Sequence, residues 1–318
     1  MNTHSGEAVV EKRAAQGVEL KYVLITPARN EAALIEQTIK AVVAQTVLPV
    51  KWVIVSDGST DGTDEIVSRY TAVHPWIELV RLPERAERHF AGKVQAFNAG
   101  RAMVKDLPYD IIGNLDADIT FDEDYFEFLL RRFEEAPSLG VGGTPFSENG
   151  AQYDYRFTSL EHVSGACQLF RRECFANIGG YVPIKIGGVD LVAVLTARMK
   201  GWRTRTFVEK NCVHQRKMGT GNTVRVWRAF RHGYGDWVLG ASPLWETLRC
   251  FYQMTRRPGV AGGGLRLAGF LWGMLRGVEK AVPKSVVRFR RAEQMKRLRV
   301  FLSQDLWPRR PAAEQNKV

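Results

Sequence analysis

Apolar runs of strand length alternate with helical patterns through the first half of this chain, and that alternation constrains its fold more than any other feature. Tyr22-Val23-Leu24-Ile25-Thr26 stops at Pro27 and passes into a helix from about Glu31 to Val43, whose apolar positions are Ala33, Leu34, Ile39, Val42 and Val43. Trp52-Val53-Ile54-Val55 follows and ends in Ser56-Asp57-Gly58-Ser59-Thr60-Asp61-Gly62-Thr63, a turn in which Thr60 or Asp61 can cap the next helix. Ile77 to Arg81 reads as a third strand, Ala91-Gly92-Lys93 opens a helix reaching about Val104, and Tyr109 to Leu115 is a fourth strand. This spacing predicts an α/β fold with a mostly parallel central sheet covered by helices on both faces. Ligands of such sheets bind beyond the carboxyl ends of the strands. Pro27, Asp57 and Asp116 all fall at such ends, although they are far apart in sequence.

The fourth strand runs into Leu115-Asp116-Ala117-Asp118. Residues i and i+2 of a strand point the same way, so Asp116 and Asp118 would project together and Ala117 away from them. Two like charges that close are unfavourable unless one takes up a proton or a cation lies between them. Hard oxygen ligands suit Mg²⁺ or Mn²⁺, which commonly bridges carboxylates to a nucleotide's phosphates. A solvated Asp pair opening a turn is the plainer alternative, and the pair alone does not decide between them.

Composition narrows the class of protein. The chain has 318 residues, enough for one large domain or a domain with an appendage, and its 45% hydrophobic and 25% charged content is ordinary for a globular protein. Cys167, Cys174, Cys212 and Cys250 form no C-x-x-C pair, so they read as reduced thiols of a cytosolic protein rather than a disulfide or zinc framework. Met1 to Gly17 is polar and reads as a loose leader without an apolar run of signal-peptide length. The net charge of +11 favours anionic partners. The excess is local: Arg198 to His232 holds ten Lys or Arg against Glu209, and Lys284 to Val300 holds seven against Glu293.

Taken together and in order, Thr26-Pro27-Ala28-Arg29-Asn30-Glu31, Ser56-Asp57-Gly58-Ser59-Thr60-Asp61, Ala91-Gly92-Lys93 with Asn98 and Gly100, and Leu115-Asp116-Ala117-Asp118 closely resemble glycosyltransferase family 2. The resemblance covers roughly Tyr22 to His214. It implies the GT-A fold, a nucleotide-sugar donor, an inverting transfer, and Mg²⁺ or Mn²⁺ as cofactor. Pro27, Ala28, Arg29, Glu31 and Asp57 would line the nucleoside pocket, with Asp57 accepting a hydrogen bond from the base. Lys93 would approach the diphosphate. Asp116, with Ala117 beside it, would lie by the ribose and metal, and Asp118 would bind the metal directly. Read singly, Pro27 ends a strand, Asp57 shapes a turn and Lys93 is a solvated lysine at a helix start.

Beyond Asp118, Phe121 to Phe133 reads as a helix, Leu139 to Thr144 as a short strand and Glu148 to Tyr155 as an irregular acceptor-side loop. Ser164-Gly165-Ala166-Cys167-Gln168 resembles the small-residue turn that borders the family's sugar pocket. Gly187-Gly188-Val189-Asp190 stands where the family commonly has a Glu-Asp pair whose Asp is the general base. Here Val189 replaces the Glu and Asp190 remains, so the resemblance assigns the base to Asp190; a helix N-cap is its bland reading. Trp202 to Val208 reads as the last strand, and His214 is either a further metal ligand or a surface histidine in a basic loop. Processive relatives carry Gln-x-x-Arg-Trp in this part; His214-Gln215-Arg216-Lys217-Met218 lacks the tryptophan, which argues for single-sugar transfer.

From about Arg225 the chain changes character. Val224 to Val238 and Pro243 to Met254 are aromatic-rich and helical in pattern, and Pro258 to Val282 is apolar but interrupted by Arg266 and Arg276. The longest uncharged stretch there, Leu267 to Leu275, is far short of the roughly 20 residues that span a bilayer. Two readings stand: a helix lying in an acidic membrane surface with Trp272 near the headgroups, or a helical hairpin packed on the catalytic domain.

The expected organisation is a leader over 1–18, a GT-A catalytic domain over 19–224 and a basic helical region over 225–318. The expected activity is metal-dependent transfer of one sugar from a nucleotide-sugar donor to a glycan or lipid-linked acceptor, in the cytoplasm or on the cytoplasmic face of a membrane. Two rivals remain. A sugar-phosphate nucleotidyltransferase usually carries a glycine-rich loop with Arg and Lys after its first strand, which Pro27-Ala28-Arg29-Asn30-Glu31 lacks. A nucleic-acid-binding protein would suit Val226-Trp227-Arg228 but leave the strand-end carboxylates unexplained, so no nucleic-acid partner is expected.

Overall fold

The computed structural model describes residues 17–84, 90–147, 159–216, 222–255 and 259–305. Most of the leader and the whole of the expected acceptor-side loop, 148–155, lie outside the described residues. The chain divides into two compact units, the first ending at Lys217 and the second starting at Met218.

The first unit begins with the alternation that its sequence predicts: β1 (Tyr22–Ala28), α1 (Ile35–Val43), β2 (Lys51–Asp57), α2 (Thr63–Thr71), β3 (Ile77–Leu82), α3 (Phe90–Val104) and β4 (Ile111–Leu115). It continues with β5 (Ile119–Thr120), α4 (Tyr125–Glu135), β6 (Leu139–Gly143), β7 (Phe146–Ser147), β8 (Cys167–Arg171), α5 (Arg172–Asn177), α6 (Val189–Met199), β9 (Arg203–Thr206) and β10 (Cys212–His214). Seven strands form the main sheet in the order β3-β2-β1-β4-β8-β6-β9, and β5, β10 and β7 form a small second one. In the main sheet β3, β2, β1 and β4 are mutually parallel, and β8 is inserted antiparallel between β4 and β6.

Both faces of the central strands β1, β2 and β4 are buried because their residues are apolar on both sides. Tyr22, Leu24, Trp52 and Ile54 pack with Ile35, Ile39 and Val42 of α1 and Phe126 and Leu129 of α4. Val23, Ile25, Val53 and Val55, one residue out of phase, pack with Val94 and Phe97 of α3 and Val194 of α6. This two-sided burial is what a near-continuous apolar run, as opposed to an alternating one, demands. The buried indole N–H of Trp52 donates to Thr26 Oγ1 at 2.9 Å, so the polar tip of the largest core side chain is satisfied.

The second unit is helical among the described residues: α7 (Asn222–Val238), α8 (Pro243–Met254), α9 (Val260–Leu275) and α10 (Lys284–Asp305). Glycines set the approach of α7 and α9. A Cβ on Gly233 would lie 1.8 Å from the Arg266 carbonyl oxygen, and one on Gly269 would lie 2.1 Å from that of Phe230. No described helix is long and apolar enough to cross a membrane.

Candidate active site

The loops after β1 and β2 are stitched to each other. Asn30, at a positive φ of 55°, reverses the chain after β1. Its N–H donates to Ser59 Oγ at 3.1 Å, and its Oδ1 accepts from Thr60 N–H at 2.9 Å. Glu31 N–H donates to Thr63 Oγ1 at 2.8 Å, and Ala32 N–H to Asp61 Oδ2 at 3.0 Å. Asp61 also accepts from Thr63 N–H at 3.1 Å; the N-cap of α2 is Gly62 at φ 89°, not Thr60 or Asp61 as expected, and Asp61 ties the two loops together. Asp57 closes β2 and is buried. The following Gly58 has φ +66°, and a Cβ there would meet Glu84 Cα at 2.5 Å, so only glycine fits this exit.

The β4 end is held from the β8 side. Asp116 N–H donates to Ala166 O at 2.9 Å, and Asn114 Nδ2 donates to Gly165 O at 2.7 Å. The Asp116 carboxylate receives Lys93, from the first turn of α3, in a direct ion pair. Burial works against the charge of Lys93, but Asp116, and after it Asp190 and Asp118, outweigh burial and hold the ammonium above the usual lysine range. The structure therefore pairs Lys93 with a carboxylate, whereas the resemblance assigns it to a diphosphate; a part-exposed cation beside several acids has charge to offer both.

Asp118 is buried at 6% exposure. The short strand β10 runs back along β5, pairing His214 with Ile119, and Gln215 N–H donates to Asp118 O at 2.9 Å. This brings His214 Nε2 to 3.4 Å from Asp118 Oδ2. Two residues on, Arg216 Nε donates to the same Oδ2 at 2.9 Å, while its Nη2 pairs with Glu31 Oε2. One guanidinium thus bridges the loop after β1 and the loop after β4. Partial burial opposes its charge, and Asp118 and Glu31 more than compensate, raising its pKa.

Asp190 is the second residue of α6, entered through Gly188 at φ 81°. Its Oδ2 accepts from Gly165 N–H at 3.2 Å, so it faces the same small-residue turn that Asn114 binds from the other side. Tyr181 O–H donates to Gln168 Oε1 at 2.7 Å, and Gln168 Nε2 donates to Val163 O at 2.8 Å, which fixes the floor of this turn. Burial, then the charges of Asp190 and Asp116, push the Tyr181 phenol well above its usual value.

The residues fit a divalent cation in one specific respect. The contact of His214 Nδ1 with the Arg216 carbonyl, at 3.1 Å, requires the proton on Nδ1 in the neutral ring. Nε2 then carries a lone pair facing Asp118 Oδ2, two acceptors with no proton between them. Among the described residues no group of three His, Cys, Asp or Glu could hold a metal, so an ion here would complete its shell from phosphate and water.

Of the residues singled out in the sequence, Glu31, Lys93, Asp116, Asp118, Asp190 and His214 are linked by these contacts. Pro27 and Ala28 end β1, with Arg29 following them and Asp57 ending the neighbouring β2. Sequence reasoning missed Arg216, which figured only in the comparison with Gln-x-x-Arg-Trp. Its signal was its place in the ten-residue basic excess two positions after His214.

The model of the family described as Glycosyl transferase family 2 matches residues 23–189. A poly-beta-1,6-N-acetyl-D-glucosamine synthase of Staphylococcus aureus (strain COL) is 26% identical over 196 residues, which are 55% of this chain and 45% of that protein. Its namesake from Staphylococcus epidermidis is 28% identical over 136 residues, 42% of this chain and 31% of the other. The chain thus spans less than half the length of the curated relatives it matches. Among solved structures, the mannosyltransferase PcManGT from Pyrobaculum calidifontis, in complex with GDP-Man and Mn²⁺, has a TM-score of 0.54 at 17% identity, covering 96% of each chain. S. aureus TarS 1–349 in complex with UDP-GlcNAc has a TM-score of 0.51 at 14% identity, covering 90% of this chain and 92% of that one. At such identities these structures speak for the fold alone.

Proposed function

The chain belongs to glycosyl transferase family 2, and we propose that it moves a single sugar from a nucleotide-sugar donor to a hydroxyl of a glycan or lipid-linked acceptor, with inversion. The observation that carries this reading is the convergence of Glu31, Asp116, Asp118 and Asp190 with Lys93, Arg216 and His214 around the ends of β1 and β4. In a mostly parallel sheet that is where a nucleotide lies. Pro27, Ala28, Arg29, Glu31 and Asp57 are read as the nucleoside pocket, with Ala117 beside the ribose.

Asp190 is read as the general base. It would take the acceptor's hydroxyl proton as that oxygen bonds to the anomeric carbon. The bond from that carbon to the diphosphate oxygen breaks, and its electron pair leaves with the diphosphate. Lys93 and Arg216 would balance the charge that accumulates there. Asp118 and His214 would hold Mg²⁺ or Mn²⁺, with phosphate and water completing the shell, while Asp116, paired with Lys93, is read as lying by the ribose. Such an ion, when bound, supplies Lewis-acid stabilisation of the departing diphosphate.

Polymer synthesis is a second reading, favoured by the names of the curated relatives. The absence of a tryptophan after Arg216 speaks for single transfer, and the length distribution of products separates the two. The four cysteines, all buried free thiols, suit work on the cytoplasmic side. Thermal-shift screening of UDP-, GDP- and dTDP-sugars, each with Mn²⁺ or Mg²⁺, tests the donor assignment. UDP-GlcNAc comes first because the relatives point to it. One donor is expected to stabilise the chain in a metal-dependent way; a flat response to every sugar nucleotide contradicts the proposal.

A further inference from the structure

Within the second unit, α8 and α9 turn most of their charge inward and leave large apolar side chains exposed. α8 carries two charged residues, Glu246 and Arg249, and α9 carries one, Arg266. All three turn toward a shared network. Arg266 Nε donates to Glu246 Oε1 at 2.5 Å, and its Nη2 pairs with Asp236 of α7. Arg290 of α10 donates to the other oxygen of Asp236 at 2.7 Å and to Leu239 O at 2.9 Å. Arg249 reaches Asp236 and Glu246 at 3.7 and 3.8 Å. Glu246 is fully buried. Burial alone would raise the Asp236 carboxyl, but Arg290, Arg249 and Arg266 bring it down to about 2.

The outward faces are the reverse. α8 exposes Leu244, Leu248 and Phe251 at helical spacing, and α9 exposes Val260, Leu271, Trp272 and Leu275, the last at 80%. Of the charged side chains on the two helices Glu246 and Arg266 are buried, and Arg249 keeps 40% exposure at the edge of the network. A helix pair that shields its ions and presents aliphatic and aromatic residues is built for a low-dielectric neighbour rather than for water. We propose that the outward faces of α8 and α9 insert, in the plane of the membrane, into an anionic bilayer surface.

Three observations favour lipid over a protein partner. The two faces offer little charge with which a protein could be selected, Arg249 alone among the charged residues of α8 and α9 being substantially exposed. Arg276, one turn beyond Trp272, stacks its guanidinium over the indole at 4.5 Å, the amphipathic pairing found at a headgroup boundary. Past it, Lys284, Arg288, Lys296 and Arg299 are exposed, and Lys284 to Val300 carries one acid against seven bases, a match for anionic headgroups. Length sets the depth: the 12 and 16 residues of α8 and α9 give rods of about 18 and 24 Å, shorter than the roughly 30 Å hydrocarbon core. This inference goes beyond the catalytic proposal and stands without it.

The test is co-sedimentation of the full chain with phosphatidylcholine vesicles, with and without phosphatidylglycerol, beside Phe251→Asp/Leu275→Asp. Both positions are exposed, so the variant's helical circular dichroism should match wild type. The full chain is expected to pellet with anionic vesicles and to be released in part by salt. The variant should bind at least about tenfold more weakly even at low salt. A wild-type chain that stays in the supernatant with both vesicles overturns the proposal. So does a variant that binds equally well, which would leave the basic surface as the whole cause. A dimer in sedimentation equilibrium that the variant dissociates would assign the faces to a second copy and overturn it too.

Discussion

In the proposed mechanism Arg216 and Asp190 act on different partners, and single substitutions separate them. The guanidinium of Arg216 holds Asp118 Oδ2, the oxygen that also faces His214 Nε2. A divalent ion at that oxygen must compete with it. A charge-assisted hydrogen bond contributes about 1.5–3 kcal/mol, so Arg216→Ala should tighten Mn²⁺ binding in the absence of nucleotide by about tenfold or more. Calorimetric titration of the free enzyme with Mn²⁺ measures this, and weaker binding would show that Arg216 organises the site instead of occupying it. On the proposed reading Asp190 serves the acceptor. Asp190→Asn should leave donor affinity near wild type and lower kcat by roughly 10² or more. A collapse of donor affinity would make it a structural group of the Gly165 turn, which its hydrogen bond at 3.2 Å would then explain.

At the scale of elements, legibility followed the amount of apolar burial. β1, β2 and β4 were readable because each is an apolar run buried on both faces, and β3, an edge strand, because its apolar residues flank Glu78 and Arg81. Pro243–Met254 was readable because a proline at the first helical position marks its start. The helix expected from Glu31 begins only at Ile35, because Asn30 at positive φ and hydrogen bonds to Ser59, Thr63 and Asp61 commit 30–32 to the neighbouring loop. Such long-range bonds leave no periodic trace in sequence. β5 and β10, of two and three residues, are equally silent, so the sequence alone could not decide whether His214 reaches Asp118. β8 was obscured because its residues directly follow the small-residue turn. Arg266 read as an interruption of an apolar segment, whereas it is the buried centre of an ion network. The glycines of the second unit carry a prediction at this scale. Gly233→Ala places a methyl against the Arg266 backbone and forces α7 and α9 apart. It should cost about 1–3 kcal/mol, read as an earlier denaturation midpoint of the helical signal; an unchanged midpoint would mean that the crossing is looser than described.

For the molecule as a whole, a donor site at the ends of β1 and β4 requires distant segments to cooperate. Glu31, Lys93, Asp116, Asp118 and Arg216 come from loops and helix starts spread over most of the first unit, and the parallel sheet gathers them. A scatter of solvated carboxylates would neither bind a nucleotide nor respond to a metal. The most direct measurement is isothermal titration of UDP-GlcNAc into the full chain with and without Mn²⁺, repeated on Asp118→Asn and run with the other sugar nucleotides if UDP-GlcNAc is not the donor. The account predicts that one sugar nucleotide binds, that Mn²⁺ strengthens binding to wild type, and that Asp118→Asn, still folded by circular dichroism, loses that metal-dependent gain. Equal donor affinity in wild type and Asp118→Asn with Mn²⁺ present would contradict it.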